Sequence, residues 1–238
     1  MNRMPWSAGS LGWWVVLLLF ALCLASQPLQ LHAQTSSTRQ FFTPEVNTTN
    51  GTISGLVENA DVAVFLGIPY AKPPTGSLRF RPPVAHSGWT TTRSATMRGS
   101  SCLQGANVGS DDCLFMNVFT PLTQLEPDAP LKPVMFYIHG GGFVAGAATT
   151  SGANMTHLTG HVVFACQYRL GAFGFFSTEA PPPNLGLADQ RFALQWVHDN
   201  ARSFGGDPNQ IMIYGCSAGG ASVAGMLTMP AAYGMYTA

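Results

Sequence analysis

Charged side chains are scarce in this 238-residue sequence. Asp, Glu, Lys and Arg together make up 9% of it, and 11 basic residues balance 11 acidic ones. An ordinary soluble domain carries about 25% charged residues. Because no basic cluster is present, the chain has no surface suited to the phosphates of a nucleic acid or to an anionic membrane. Nucleic acid is therefore not expected as a partner.

The sequence also lacks any cluster of His, Cys, Asp and Glu at the spacing of metal ligands, so no metal is expected. Apolar residues are plentiful instead, with 46% hydrophobic and 11% aromatic residues. This is enough for the core of one large domain. No internal repeat and no linker divides the chain.

The first 25 residues have the layout of a secretory signal peptide. Arg3 precedes an apolar run over residues 11–25, and polar residues follow. Cleavage after Ala25, or as late as Ala33, suits this pattern. The alternative is a signal anchor that stays in the membrane, although a spanning helix needs about 20 apolar residues. We expect a secreted, extracellular protein that does not associate with a membrane after cleavage.

Two further features agree with export. Asn47, Asn50 and Asn154 each begin an N-glycosylation sequon. Cys23 would leave with the signal peptide, and the four remaining cysteines allow three disulfide pairings. Residues 34–50 are rich in Thr, Ser and Asn without an apolar period, and they are predicted to be a flexible lead-in to ordered structure.

Apolar patterns after residue 50 predict strands that alternate with helices. Residues 52–66 are interpreted as a β-hairpin that turns at 59–61, and prolines make residues 67–100 mostly connecting structure. Further strands are predicted at 114–119, 133–139, 161–168 and 210–214, and helices at 185–204 and 218–229. This alternation indicates an α/β fold with a mostly parallel sheet.

Ser217 lies at the centre of the pentapeptide Gly-Cys-Ser-Ala-Gly at 215–219. A predicted strand precedes it and a predicted helix follows, which is the context in which G-x-S-x-G forms a nucleophile elbow. Small flanking residues are needed because the serine sits on a strained bend that other backbone crosses closely. The pentapeptide alone could be a chance turn; the flanking strand and helix favour a nucleophile.

The run His-Gly-Gly-Gly-Phe at 139–143 follows another buried strand. A serine that attacks a carbonyl creates an oxyanion, which needs preorganised backbone N–H donors, commonly from a glycine-rich loop. A flexible linker is the alternative, but its position between a buried strand and Phe143 is unusual for one. The two motifs together predict an acyl-transfer site.

These motifs resemble those of the type-B carboxylesterases, the cholinesterase and carboxylesterase group of the α/β-hydrolase fold. The resemblance runs from about Thr52 to the last residue, so residues 51–238 are identified as the N-terminal part of such a domain. Its motifs are FLGIPYAKPP at 65–74, DDCLFMNV at 111–118, HGGGF at 139–143, FGGDP at 204–208 and GCSAGGAS at 215–222.

The resemblance implies a reaction and the residues that perform it. Ser217 would attack the carbonyl of a small-molecule carboxylic ester and form an acyl-enzyme. The N–H groups of Gly141, Gly142 and Ala218 would hold the oxyanion. Esterases of this type need no cofactor. The implied architecture is the N-terminal half of a mostly parallel, helix-flanked sheet, ending after the elbow helix.

The resemblance also implies two structural pairs. These are a disulfide between Cys102 and Cys113 and an ion pair between Arg79 and Asp111. The residues between the two cysteines form a small polar loop that a bridge would stabilise. Cys166 lies within a predicted strand and is expected to be a buried thiol.

The sequence departs from the family at two positions near the site. Cys216 stands where the family usually has glutamate, which changes the local electric field without removing the nucleophile. A reactive Cys216 is the alternative, although an elbow exposes its central residue. Residues 103–112 contain no aromatic residue, so no ring faces a quaternary ammonium and a general carboxylesterase is favoured over a cholinesterase.

The third departure is the absence of triad partners. The fold's order is Ser, then Asp or Glu, then His, yet no residue of these acidic or basic types follows Ser217. All six histidines precede it, and His139 is expected to orient the glycine loop. Without a base the serine is a weak nucleophile. We therefore expect an incomplete, inactive form of a secreted esterase.

Two other functions stay open at this point. One is a non-catalytic binding or adhesion module of the same fold, against which the retained Ser217 and its glycine loop argue. The other is an inactive truncated product with no function of its own.

Overall fold

The computed structural model describes residues 44–105, 108–149, 152–176 and 184–237. The predicted signal peptide and most of the predicted lead-in lie outside these residues. The strands are β1 Val46–Thr48, β2 Gly51–Ser54, β3 Leu56–Glu58, β4 Val62–Pro69, β5 Arg93–Ser94, β6 Phe115–Pro121, β7 Lys132–Ile138, β8 Val162–Cys166 and β9 Gly206–Gly215. The helices are α1 Gly152–Thr159, α2 Gly171–Phe175, α3 Leu185–Asn200 and α4 Ala218–Leu227.

Six strands form the main sheet in the order β3-β4-β6-β8-β7-β9, and β1, β2 and β5 form a small second sheet. In the main sheet β8, β7 and β9 pair in parallel, whereas β3, β4, β6 and β8 pair antiparallel with their neighbours. Four of the six strands therefore run the same way. The hairpin predicted at 52–66 accounts for the antiparallel β3–β4 pair, whereas the antiparallel β4–β6 and β6–β8 pairs depart from the predicted mostly parallel pairing.

The two faces of the main sheet carry different cores because successive strand residues point to opposite sides. Phe65, Phe136 and Phe164 belong to the larger core, which includes residues of α3 and α4. Val64, Phe119 and Val163 belong to the smaller core, which α1 covers through Ala153. Both faces of β4, β6 and β8 are thus covered, whereas Tyr137 of β7 is half-buried and Met212 of β9 is exposed.

The ordered domain begins earlier than the sequence predicts. β1 lies within the predicted 34–50 lead-in and pairs antiparallel with β2. The backbone N–H of Thr49 also donates to Asn200 Oδ1 at 2.8 Å. Val46 is buried because this pairing places it in the larger core. The prediction of a flexible lead-in is therefore wrong for residues 46–50.

The remaining strand and helix predictions are confirmed, with shifted ends. The helix predicted at 185–204 ends at Asn200 and continues as a 3-10 turn to Phe204, where Gly205 takes a positive φ of 74°. The short elements β1, β5, α1 and α2 were not predicted from the sequence. Within the described ranges no helix is long and apolar enough to cross a membrane.

Candidate active site

Ser217 occupies a sharp turn between β9 and α4. Its backbone has φ 56° and ψ −121°, a conformation that L-residues seldom adopt. Such strain costs about 1–3 kcal/mol and persists only where the surrounding structure enforces it. The Ser217 side chain is exposed, while Ala218 and Gly219 directly after it are buried. The turn therefore presents the hydroxyl to solvent, as a nucleophile elbow does.

The glycines of the elbow are required by close backbone packing. A Cβ at Gly215 would lie 2.5 Å from the carbonyl carbon of Gly219 and 2.7 Å from the oxygen of Ile138. A Cβ at Gly219 would overlap the same Ile138 oxygen. The end of β7 thus passes directly against the turn and leaves no room for a methyl group on either side of Ser217.

The glycine loop, residues 139–146, begins where β7 ends. Gly141, Gly142 and Phe143 all have positive φ, at 118°, 62° and 64°. The Gly141 carbonyl accepts hydrogen bonds from the N–H groups of Val144 and Ala145, at 3.1 and 3.0 Å. A Cβ at Gly141 would overlap the Ala145 oxygen. This run is a tightly folded turn, which excludes the flexible-linker alternative.

The glycine loop and the elbow are in contact. A Cβ at Gly140 would lie 2.5 Å from the carbonyl oxygen of Cys216 and 3.3 Å from the Cβ of Ser217. Only a glycine therefore lets the two segments approach this closely. The fold brings the two sequence motifs together into one site.

The backbone N–H groups of Gly141 and Gly142 in the glycine loop and of Ala218 in the elbow donate no hydrogen bond to any described residue. Ala218 is the first residue of α4, so its N–H carries the partial positive charge of a helix N-terminus. These are the donors predicted for the oxyanion hole.

His139 belongs to the glycine loop rather than to a catalytic pair. Its imidazole is buried and stacks on the ring of Tyr168, with centroids 4.3 Å apart. Nδ1 lies 2.9 Å from the carbonyl oxygen of Gly140. Burial lowers the pKa of His139 below its ordinary value of 6.5, although the Gly140 contact opposes this. A neutral, buried ring engaged with its own loop fits the loop-orienting role expected from the sequence.

The two free cysteines of the described chain differ in exposure. Cys166 is buried in β8, and burial raises the pKa of its thiol well above the ordinary range. Cys216 is exposed beside Ser217. Because Cys216 lies one residue before the strained position, its thiol does not occupy the place of the central elbow residue.

An apolar cleft of about 470 Å³ opens beside the predicted oxyanion donors. Its walls come from the glycine loop, from α2 and from the residue after α2. The lining residues are Gly142, Phe143, Val144, Gly171, Ala172, Phe175 and Phe176. No charged side chain lines it, so it suits an uncharged apolar group.

The two structural pairs that the resemblance implied are present. Cys102 and Cys113 form a disulfide with their Cα atoms 4.9 Å apart. Arg79 forms an ion pair with Asp111, and its guanidinium lies 5.5 Å from the ring centre of Phe173. Both pairs connect surface loops and lie outside the elbow.

The three sequons differ in what their asparagines do. Asn47 and Asn154 are exposed. The side chain of Asn50 is engaged twice: its Oδ1 accepts from Trp196 Nε1 at 2.7 Å, and its Nδ2 donates to His86 O at 3.3 Å. A glycan would replace one of the two N–H groups of Asn50 Nδ2 and would therefore compete with the His86 contact at a half-buried residue.

The residues that support the glycine loop were not predicted from the sequence. Tyr168 Oη donates to the His139 carbonyl at 2.7 Å, and the Gly171 N–H donates to the Phe143 carbonyl at 2.7 Å. Between them, Arg169 forms a buried ion pair with Asp189 at 2.7 Å. The only sequence signal is the polar run Gln-Tyr-Arg directly after a buried strand. No group of three or more possible metal ligands occurs in the described part of the chain.

Comparisons with known proteins agree with this geometry. The sequence model of the protein family described as "Carboxylesterase family" matches residues 43–238. Carboxylesterase 1D of Rattus norvegicus is 42% identical over 221 residues, which cover 81% of this chain and 38% of that protein. Para-nitrobenzyl esterase of Bacillus subtilis (strain 168) is 41% identical over 210 residues, 80% of this chain and 42% of that protein.

A solved structure of a PNB esterase is also similar, with a TM-score of 0.75, 42% identity and coverage of 81% of this chain and 42% of that chain. This likeness confirms the predicted α/β-hydrolase fold. The chain spans about two-fifths of the length of the relatives that it matches.

Proposed function

The chain belongs to the carboxylesterase family, and on that premise we propose that it carries the nucleophile and the oxyanion donors of a serine hydrolase that cleaves carboxylic esters. The observation that carries the proposal is the contact between Gly140 and the elbow, with Cys216 O 2.5 Å and Ser217 Cβ 3.3 Å from the position of a Gly140 Cβ. That contact brings together two segments distant in sequence, which supports a single reacting centre formed by both.

The proposed reaction proceeds through an acyl-enzyme. Ser217 Oγ loses its proton to a base and bonds to the ester carbonyl carbon, whose π electrons move to the oxygen. The N–H groups of Gly141, Gly142 and Ala218 stabilise that oxyanion. When the carbonyl re-forms, the alcohol leaves with the proton. Water then attacks the acyl-serine by the same route and releases the carboxylic acid.

The base and its acidic partner are proposed to lie outside these 238 residues. No Asp, Glu or His follows Ser217 in the sequence, and no described histidine is hydrogen-bonded to Ser217 Oγ. More than half of the length of each relative lies outside the matched part. The chain on its own is accordingly proposed to be inactive, because an unassisted serine hydroxyl is a poor nucleophile at neutral pH.

The apolar cleft beside Gly142 supports an uncharged substrate. It holds about 470 Å³ and is lined by aromatic and small side chains without a charge. Pockets of this size and character take an aromatic or branched aliphatic group. We propose esters with such a group as the substrates.

We further propose that the protein is secreted. The apolar run of residues 11–25 supports this, as does the disulfide, which is rare in reducing compartments. Expression in a secreting eukaryotic cell should give glycans at Asn47 and Asn154 but none at Asn50, whose amide is engaged with Trp196 and His86. Glycopeptide mapping of the secreted fraction checks this, and a glycan at Asn50 of folded protein would contradict the assignment.

Reconstitution tests the catalytic proposal. Residues 43–237 would be joined to the C-terminal part of the Bacillus subtilis para-nitrobenzyl esterase that continues beyond the match. The chimera should hydrolyse p-nitrophenyl butyrate and be labelled by a fluorophosphonate at Ser217. The Ser217→Ala chimera and the chain alone should do neither. A folded chimera that is not labelled at Ser217 would refute the ester hydrolase.

A further inference from the structure

The loop closed by the Cys102–Cys113 disulfide carries Gln104 two residues after its first cysteine. Backbone hydrogen bonds order this loop, from Gln104 N to Val108 O at 2.9 Å and from Ser110 N to Ser101 O at 2.9 Å. Gln104 therefore extends from a segment that is fixed both covalently and by its own backbone.

The Gln104 side-chain amide binds both backbone groups of Gly146, the last residue of the glycine loop. Its Oε1 accepts from the Gly146 N–H at 2.7 Å, and its Nε2 donates to the Gly146 carbonyl at 2.8 Å. The same Nε2 also lies 3.2 Å from Cys102 O. A two-point contact of this kind fixes orientation as well as distance, which a single hydrogen bond does not.

Gly146 in turn contacts the part of the loop that faces the elbow. It has φ 119°, and a Cβ there would overlap the Gly140 carbonyl and lie 2.5 Å from His139 Nδ1. Gly140 is the residue that packs on Cys216 and Ser217. A path of direct contacts therefore runs from the disulfide loop through Gln104, Gly146 and Gly140 to the elbow.

Open space lies beside this path. A cleft of about 290 Å³ lies beside the disulfide loop, where Leu103, Gln104 and Gly105 form one wall. Val144 of the glycine loop and residues of α2 form the opposite wall. The two loops are thus not packed side chain to side chain here, and Gln104 spans from one to the other. Loss of its amide would leave both polar groups of Gly146 without a partner.

We propose that Gln104 is a positioning residue that transmits the constraint of the Cys102–Cys113 disulfide to the glycine loop and so holds the oxyanion donors in place. The importance of that position for rate rests on the proposed function, because donors stabilise an oxyanion only when they are preorganised. The coupling between the two loops does not depend on it.

Hydrogen–deuterium exchange of the chain as it stands measures the coupling. The N–H groups of Val144 and Ala145 bind Gly141 O, so their exchange rates report the shape of the glycine loop. We expect Gln104→Met, which removes the amide and keeps the side-chain length, to raise both rates about tenfold. Gln195→Met is the matched control, because Gln195 is half-buried on α3, away from the glycine loop, and among the described residues its side chain bonds to Asp199. It should leave both rates unchanged.

The disulfide is tested in the same assay. Replacing Cys102 and Cys113 by serine should raise the two rates to a similar extent, and adding Gln104→Met should produce no further increase. Tyr168→Phe removes a hydrogen bond at the other end of the glycine loop. The fold-increase that it causes in the two exchange rates should therefore multiply with the fold-increase caused by loss of the disulfide. Unchanged exchange in Gln104→Met, or a multiplicative effect of Gln104→Met with the serine replacements, would overturn the proposal.

Two further measurements protect the interpretation. Exchange in β8 shows whether a variant stays folded. If Gln104→Met does not fold, Gln104→Glu replaces it, because the glutamate keeps the acceptor for the Gly146 N–H and should give a smaller rise in the two exchange rates.

In the ester-hydrolysing chimera, Gln104→Met should lower kcat about tenfold with KM within twofold. A change in KM alone would overturn the positioning role. If no chimera hydrolyses an ester, the proposed function fails while the exchange results still decide the coupling.

Discussion

The elbow and the glycine loop are both rich in glycine, yet they keep their shapes by different means. The elbow is confined by backbone, since a methyl group on Gly215 or Gly219 would collide with the carbonyl of Ile138. The glycine loop has close backbone contacts too, at Gly140 and Gly141, but it is additionally held by hydrogen bonds from side chains of other parts of the chain, among them Tyr168 and Gln104. A steric clash is present in full as soon as one methyl group is added, whereas the hydrogen bonds to the glycine loop can be removed one at a time. A single substitution in the elbow should therefore destabilise the fold strongly, and each lost bond to the glycine loop should destabilise it by a smaller step.

The largest effect is expected at the elbow. Gly219→Ala puts a Cβ onto Ile138 O, in a central strand that cannot move aside, and should cost more than about 5 kcal/mol of unfolding free energy. Gly225→Ala is the matched control in the same helix, because nothing lies within 4 Å of its Cβ position; it should stabilise by about 0.5–1 kcal/mol. Urea denaturation measures both, and equal stabilities would remove the steric account of the elbow.

A somewhat smaller loss is expected where the loop's support is anchored. Arg169 and Asp189 are buried, and their ion pair pins the segment from Tyr168 to Gly171. Asp189→Asn leaves the Arg169 charge uncompensated and should cost about 3–5 kcal/mol. Asp61→Asn breaks the exposed pair with His157 and should cost less than about 1 kcal/mol. Chemical denaturation in low salt tests the contrast, which a similar loss in both variants would contradict.

A moderate effect is expected at the first bond to the loop. Tyr168→Phe keeps the ring that stacks on His139 but leaves the His139 carbonyl without its 2.7 Å donor. The expected cost is about 1–2 kcal/mol. Tyr70→Phe removes an equally buried hydroxyl from Gln167 O and should cost about as much. The two should differ in hydrogen exchange at Val144 and Ala145, which only Tyr168→Phe raises; a rise in both would show that the loop responds to general destabilisation.

The smallest effect is a pH dependence of the loop's buried histidine. Burial lowers the pKa of His139 below 6.5, so on acidification the unfolded chain takes up a proton that the folded chain does not. The protein therefore keeps its full free energy of unfolding above about pH 6.5, and part of that free energy is lost as the pH falls below this value. His139→Phe keeps a ring against Tyr168 and should show a shallower loss between pH 7 and 5.5 in urea titrations. Partial burial also lowers the pKa of His86, so the pH dependence that His86 contributes should remain in the His139→Phe variant. If the unfolding free energies of the two proteins fall equally steeply with pH, His139 is excluded as a source of the dependence.

Local patterns in the sequence predict most of the fold. The runs that became β6, β7, β8 and β9 are continuous in apolar residues, and the helix over Leu185–Asn200 has a clear period and a glycine stop. β1, β5, α1 and α2 were missed because they span between two and eight residues, which is too short for a period to show. The antiparallel pairing of β6 with β4 and with β8 was not predicted, because strand direction depends on connections rather than on the strands' own residues.

The candidate site divides in the same way. The G-x-S-x-G and H-G-G-G-F motifs are local, and each needs small residues for a reason that acts within a few positions, so the sequence alone determined the strained serine, the tight glycine turn and the family. Tertiary structure alone decided that Gly140 packs on Cys216, that Gln104 binds Gly146, and that Asn50 is tied to Trp196. The two residues of each pair lie far apart along the chain, and the local sequence pattern around either residue does not indicate that the two come into contact. Their meeting depends on how β7, β8 and β9 are ordered in the sheet, which only the folded chain establishes.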